Sequence, residues 1–177
     1  MKKLFLASII ALGSFTGFSQ TKIVHLDVQK VIDTLPSYKA AKKEIQLTMD
    51  DAERDLKEIE DGLNKILQEL EIATNEGASP MTLDRIRKRA QTQQERYYQA
   101  EQMWQRDMQI LNARLNEPIL KLIQKAIDNV AERMKITYVL DVAATHYAKG
   151  EDITNLVITE ALALDAAAAA AAANGPK

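Results

Sequence analysis

Residues 134–157 read MKITYVLDVAATHYAKGEDITNLV, and the fold turns on them. Ile136–Val142 is a run of β-branched and apolar residues, which predicts a strand. Lys149 and Gly150 mark a turn, and Thr145–Ala148 is a candidate second strand ahead of it. Asp152 or Thr154 then caps a helix through about Leu164, with Ile153, Leu156, Val157 and Ala161 as its apolar face. A lone short strand is not stable in water, so Ile136–Val142 needs a partner. The candidate lies far away, at the start of the chain: TKIVHLDV, Thr21–Val28. After it, Asp27 can cap a short helix carrying Val28, Val31, Ile32 and Leu35. Pro36 stops that helix and Ser37 can cap the next.

Between the two strands the pattern is helical. Positions 38, 42, 45, 49, 52, 56, 59, 63, 66, 70 and 73 alternate steps of 4 and 3, and ten of these eleven residues are apolar. That is a heptad seam, which buries one narrow stripe against one partner helix. TNEGASP (Thr74–Pro80) breaks it. The seam resumes at Leu83, Ile86, Ala90, Gln93, Tyr97, Ala100 and Trp104, with Gln93 the one polar member. After Trp104 it continues through Met108, Leu111 and Leu115, and two successive steps of 4 make a stutter, which locally unwinds a supercoil. Pro118 should kink the helix. From Ile119 to Met134 the apolar stripe widens, as expected against a globular core.

If the two strands share a sheet, the intervening chain goes out and returns. Pro36 to Gly77 spans 41 residues and Gly77 to Pro118 another 41. At about 1.5 Å per residue each arm is roughly 60 Å long. The expected architecture is mainly α with a small β body: a long antiparallel coiled-coil hairpin projecting from a β-rich oligomerisation body. Residue numbers across the hairpin should sum to about 154, which puts Met49 near Trp104 and Leu63 near Ala90 and Gln91. The units expected are a body from 20–36 and 118–164, an arm from 37–117 with its tip near 74–80, and a low-complexity alanine-rich tail from 165–177. The tail can extend the last helix but has nothing with which to fix a tertiary position. So small a body needs oligomerisation for stability.

Composition narrows the function. There are no cysteines, so thiol chemistry, disulfides and thiolate metal sites are excluded. The formal charge of −2 gives no basic excess for nucleic acid. The two histidines, His25 and His146, belong to no metal-spaced cluster, no phosphate loop is present, and no catalytic constellation emerges. No cofactor is expected. Lys2 and Lys3, the apolar run LFLASIIALGSF, and small residues at Gly17 and Ser19 read as a signal peptide over 1–19, cut before Gln20. The expected location is therefore outside the inner membrane.

The order of elements resembles the Skp/OmpH family of periplasmic chaperones. The residues that carry the resemblance are the signal peptide, KIVHLDVQKVIDTLPSYKAAKKEI (22–45), the charged hairpin, EPILKLIQKAIDNVAERMKITYVLDV (117–142) and DITNLVITEAL (152–162). The resemblance implies a jellyfish-like homotrimer, with three helical-hairpin tentacles around a cavity. It also implies an ATP-independent holdase that keeps unfolded outer-membrane β-barrel proteins from aggregating in the periplasm. The other reading of the residues is a structural coiled-coil spacer or adaptor of the cell envelope. Known members are strongly basic. Here residues 37–76 carry six basic and eleven acidic side chains, and residues 80–117 seven and five.

Two groups of residues are candidate contacts. Met81 and Met103 fall off the seam and are candidates for exposed contact with client chains. Arg85, Arg87, Lys88 and Arg89 cluster past the tip, either neutralising the acidic partner helix or contacting anionic lipid head groups or acidic client segments. Trp104 and Tyr97, at seam spacing, belong to the hairpin core.

Overall fold

A computed structural model describes residues 21–174; the signal peptide expected over 1–19 lies outside them. Strand β1 (Ile23–Leu26) leads into a short helix α1 (Val28–Thr34), then into the long helices α2 (Pro36–Asn75) and α3 (Pro80–Met134). Strand β2 (Tyr138–Asp141), a 3-10 turn (Val142–Ala144), strand β3 (Glu151–Asp152) and helix α4 (Thr154–Ala173) follow. Of the described residues 81% are helical, with one small sheet among them.

The two distant strands do share that sheet. Its order is β2-β1-β3 and both pairings are parallel, with Ile23 opposite Tyr138 and Val24 opposite Glu151. Parallel neighbours cannot be joined by a tight turn and need a crossover. Here the crossover between β1 and β2 is the whole of α1, α2 and α3. Alternation along β1 buries Val24 and Leu26 and leaves Ile23 outward. The inward residues join Val31, Leu35, Ile119, Ile123, Ala126, Val130, Ile153 and Val157 in one core, so the body is built from both ends of the chain.

The second strand is not where the pattern placed it. Thr145–Ala148 forms no strand. Asp141 accepts a hydrogen bond from the Ala143 N–H, which turns the chain off the sheet, and Tyr147 stands in solvent. The third strand is instead the polar pair Glu151–Asp152. Just after it, Asp152 accepts hydrogen bonds from both the hydroxyl and the N–H of Thr154. The buried Thr154 hydroxyl in turn accepts the Asp27 N–H, tying α4 to the end of β1. The Thr154 hydroxyl, then its N–H, hold the Asp152 carboxyl below the usual carboxylate range. A carboxylate depressed in the folded state stabilises it above the unfolded pKa and ceases to do so as pH falls through the folded pKa. Asp152→Asn should therefore lower the melting temperature at neutral pH, and the gap to the wild type should close below about pH 4, near the ordinary Asp value.

The helix boundaries also depart from expectation. α1 ends at Thr34, just before Pro36, and Pro36 is also the first residue of α2, since a helix's first turn has no use for its missing N–H. Leu35 sits at the N-cap with no side-chain bond, so Ser37 is not the cap. Its hydroxyl is buried without a partner. What caps α2 is Asp165, whose Oδ2 accepts the Ser37 N–H at 3.1 Å. Asp165 is only 7% exposed. α4 also runs on to Ala173, so the first residue assigned to the alanine-rich tail is a fixed point of the arm root. By length and composition α4 could cross a membrane, but its face of Thr154, Val157, Ala161 and Asp165 is buried on the body. Asp165→Ala should cost about 1 kcal/mol, the usual loss for a helix cap. Ser37→Ala should be neutral or stabilising, because it removes an unpaired hydroxyl and keeps the N–H. Thermal unfolding of the two variants separates the contributions.

Candidate functional site

Helices α2 and α3 pack along each other beyond the body. Glu44 pairs with Arg114, Glu69 with Arg89, and the Ile59 carbonyl accepts the Gln93 side-chain amide at 3.0 Å. Numbers rise along one helix as they fall along the other. The one polar seam residue on α3, Gln93, is thus satisfied across the interface. Gly62 makes that possible: a Cβ there would lie 2.9 Å from the Gln93 amide nitrogen.

Every seam position read on α3 from Leu83 to Leu115 is buried or half-buried. On α2 the same holds from Ala52 outward. Nearer the body the seam shifts by one residue. Lys42 and Met49 are exposed, and Ala41 and Thr48 face inward. The polar hydroxyl of Thr48 bonds back to the Glu44 carbonyl within its own helix. The steps on α2 then become 4 and 4 around Ala52. The ion pairs sum to 158 rather than 154, which sets Arg54, two residues from Ala52, opposite Trp104 and its stutter, and moves Met49 away from it. Both helices stutter at one height and stay in step. Pro118 lies inside the continuous helix α3, as expected from the helical run around it.

The outward faces of the arm are mixed. Met81 is 81% exposed and Met103 53%. Leu47, Leu67, Ile72, Tyr98 and Ile110 are exposed as well. The sequence reading passed over these five, although their off-seam positions signalled them. Trp104 and Tyr97 are half-buried at the seam.

Of the basic cluster, Arg89 binds both carboxylate oxygens of Glu69 at 2.9 Å across the helices, and Lys88 pairs with Asp84 one turn earlier. Among the described residues Arg85 and Arg87 have no ion pair. Met81, Arg85, Lys88 and Arg89 line one shallow groove near the tip, together with Ile66. Met103 is not with them. It lines a second groove midway along the arm with Trp104, Ala100, Ile59 and Gly62. Among the described residues no cluster of side chains could hold a metal ion.

Residues 22–160 match the family model of the outer membrane protein (OmpH-like) family. The chain belongs to the OmpH-like family. No curated protein sequence matches it. Among solved structures it is similar to an OmpH-like protein from Caulobacter crescentus CB15, described as a candidate outer membrane chaperone. The TM-score is 0.69 at 16% identity, over 85% of this chain and 88% of that one. At that identity the likeness speaks for the fold. The family match stops at Glu160, so Asp165 and its contact with the arm root lie beyond it.

Proposed function

We propose that this OmpH-like chain is an ATP-independent holdase, exported to the periplasm, that keeps unfolded outer-membrane β-barrel proteins from aggregating. The observation that carries the reading is the dispersed set of exposed apolar side chains along α2 and α3. Leu47, Met49, Leu67, Ile72, Met81, Tyr98, Met103 and Ile110 form no single deep site. Spread among charges, they suit many weak contacts with a chain that has no fixed shape, and avidity then holds it. Methionine's flexible, polarizable side chain suits partners of varied sequence. In this reading α2 and α3 form an antiparallel hairpin arm over 37–117. The body is 20–36 with 118–164. Met81 and Met103 contact client segments. Arg85 and Arg87, with Lys88 and Arg89 beside them, meet anionic lipid head groups or acidic client segments.

Three copies join through the body. The outward face of the sheet supports this: Ile23, Tyr138 and Leu140 are 53%, 58% and 44% exposed on adjacent strands. An uncovered apolar sheet face on a soluble body asks for a partner. Client release needs no nucleotide, because the membrane offers the β-barrel a lower free energy.

The test is suppression of aggregation when a denatured outer-membrane β-barrel is diluted with the purified protein, with no nucleotide present. Unchanged aggregation at excess protein defeats the reading. In parallel, replacing Ser37–Glu117 by a short linker should leave an oligomer by mass in solution. Tyr138→Asp or Leu140→Asp in the full chain should reduce it to monomer. A wild-type monomer by mass would end the trimer reading.

A further inference from the structure

We propose that the groove midway along the arm is a docking site for extended polypeptide segments in which apolar residues alternate with lysine or arginine. This deepens the holdase reading and rests on it. The groove is open, about 710 Å³, and its apolar lining is Trp104, Met103, Ala100 and Ile59. Its depth has a local cause. Gly62 offers no side chain, and the Gln93 amide takes the room beside it to bond the Ile59 carbonyl, so neither side chain reaches out over the groove they line. A side chain at 62 would instead displace the Gln93 amide from the Ile59 carbonyl.

Charge selects the occupant. Asp50–Asp61 carries seven acidic and two basic side chains, and the facing stretch Glu95–Arg106 carries two of each. The two bases on α2 are already engaged within their own helix, Arg54 by Asp51 and Lys57 by Asp61. Asp55 and Glu58, which line the groove, have no ion pair among the described residues, and Arg96 is the one cation lining it. An apolar lining with acidic groups in excess over its one cation attracts a cationic amphiphilic segment and repels an anionic membrane surface. The tip is the opposite case, with Arg85 and Arg87 unpaired. One arm therefore presents two zones of opposite sign, each beside exposed methionine, which suits clients whose basic and acidic stretches alternate.

Trp104 is the chain's single tryptophan, so its emission reports on the groove directly. The full mature protein is titrated with an unstructured, tryptophan-free polypeptide repeating Lys-Leu-Gly-Ser. Controls are the matching Glu-Leu-Gly-Ser polypeptide, phosphatidylglycerol vesicles, and dilution of the protein alone. The expected result is a saturable blue shift with the lysine polypeptide only. Asp55→Lys with Glu58→Lys, both at exposed positions, should weaken that binding roughly three- to tenfold, the scale of two reversed surface charges. Raising salt to about 0.5 M should weaken wild-type binding similarly, which needs no variant to fold. No shift, an equal shift with the glutamate polypeptide, a shift with vesicles, or one that tracks protein concentration alone overturns the proposal. So does a double variant that binds as the wild type does. Aggregation suppression is measured on the same samples. Suppression without a Trp104 response refutes the groove and keeps the holdase, whereas no suppression refutes the holdase itself.

Discussion

Ile86→Asp should open the outer arm while the body stays folded. Ile86 is 2% exposed at the seam near the tip, so the substitution buries an unpaired carboxylate where an apolar side chain packed. That costs several kcal/mol. The outer arm cannot absorb it. Only two helices meet there, half of each is solvated, and the Glu69–Arg89 pair is exposed and contributes at most about 1 kcal/mol. Local stability is therefore far below that of the body. Hydrogen exchange should rise across Lys65–Gln91 and stay slow in Ile23–Leu26, Ile123–Val130 and Val157–Ala161. Met49→Asp is the control. Met49 is 40% exposed, so the same charge there should cost under about 1 kcal/mol, as surface changes do. Equal loss of protection in arm and body would show a single cooperative unit. Equal damage from both variants would contradict the seam as it stands around Ala52.

Met49 also shows where sequence reasoning stopped working. Strict alternation of steps of 4 and 3 put the seam on Met49 rather than Thr48, and on Lys42 rather than Ala41. The choice was sound wherever one helix meets one partner, which is why Ala52–Ala73 and Leu83–Leu115 were legible. Near the root that condition fails. Ala41 lies in the core of the body with Ile119 and Ala126, and Tyr38 and Leu115 pack against it, so α2 there faces several elements at once. A contact surface of that breadth no longer follows a two-helix period. The shared sheet was legible because β1 and β2 are apolar and needed a partner. β3 was not, since Glu151–Asp152 carries no apolar pattern and joins through backbone pairing and the Lys22–Glu151 ion pair. Asp165 was hidden for a third reason. A carboxylate at the head of an alanine run looks solvated, and its partner, Ser37, is 128 residues away. The candidate contacts were legible only as positions. Off-seam placement marked Met81 and Met103, and the same rule applied throughout would have marked Leu47, Leu67, Ile72, Tyr98 and Ile110. The mid-arm groove depends on an absence, the side chain missing at Gly62, which a search for apolar periodicity passes over.

Shortening both helices of the arm should cost far more client retention than any point change along it. Met81→Ala or Met103→Ala removes one partly solvated contact, under about 1 kcal/mol. Two symmetric deletions remove much more and distinguish depth from contact. Taking out Ala52–Lys65 with Arg89–Gln102, or Glu60–Ala73 with Leu83–Arg96, removes two heptads per helix. Either keeps seam register and draws the tip inward by roughly 21 Å at 1.5 Å per residue. The first deletes Tyr98 alone among the large exposed apolar residues, and the second deletes Leu67 and Ile72. Both remove Gly62 and Gln93, and with them the groove. If retention follows the number of simultaneous contacts, client dissociation should speed up more than about tenfold in both, and most in the second, because avidity multiplies losses over every arm. If enclosure alone matters, the two deletions should be equivalent. A single deep site elsewhere on the chain predicts a third pattern, in which a shortened arm still holds the client and one substitution abolishes binding. Client dissociation measured for all four variants, with oligomer mass verified for each, decides among the three. Retention unchanged by both deletions would remove the arm from the mechanism, whatever family the chain belongs to.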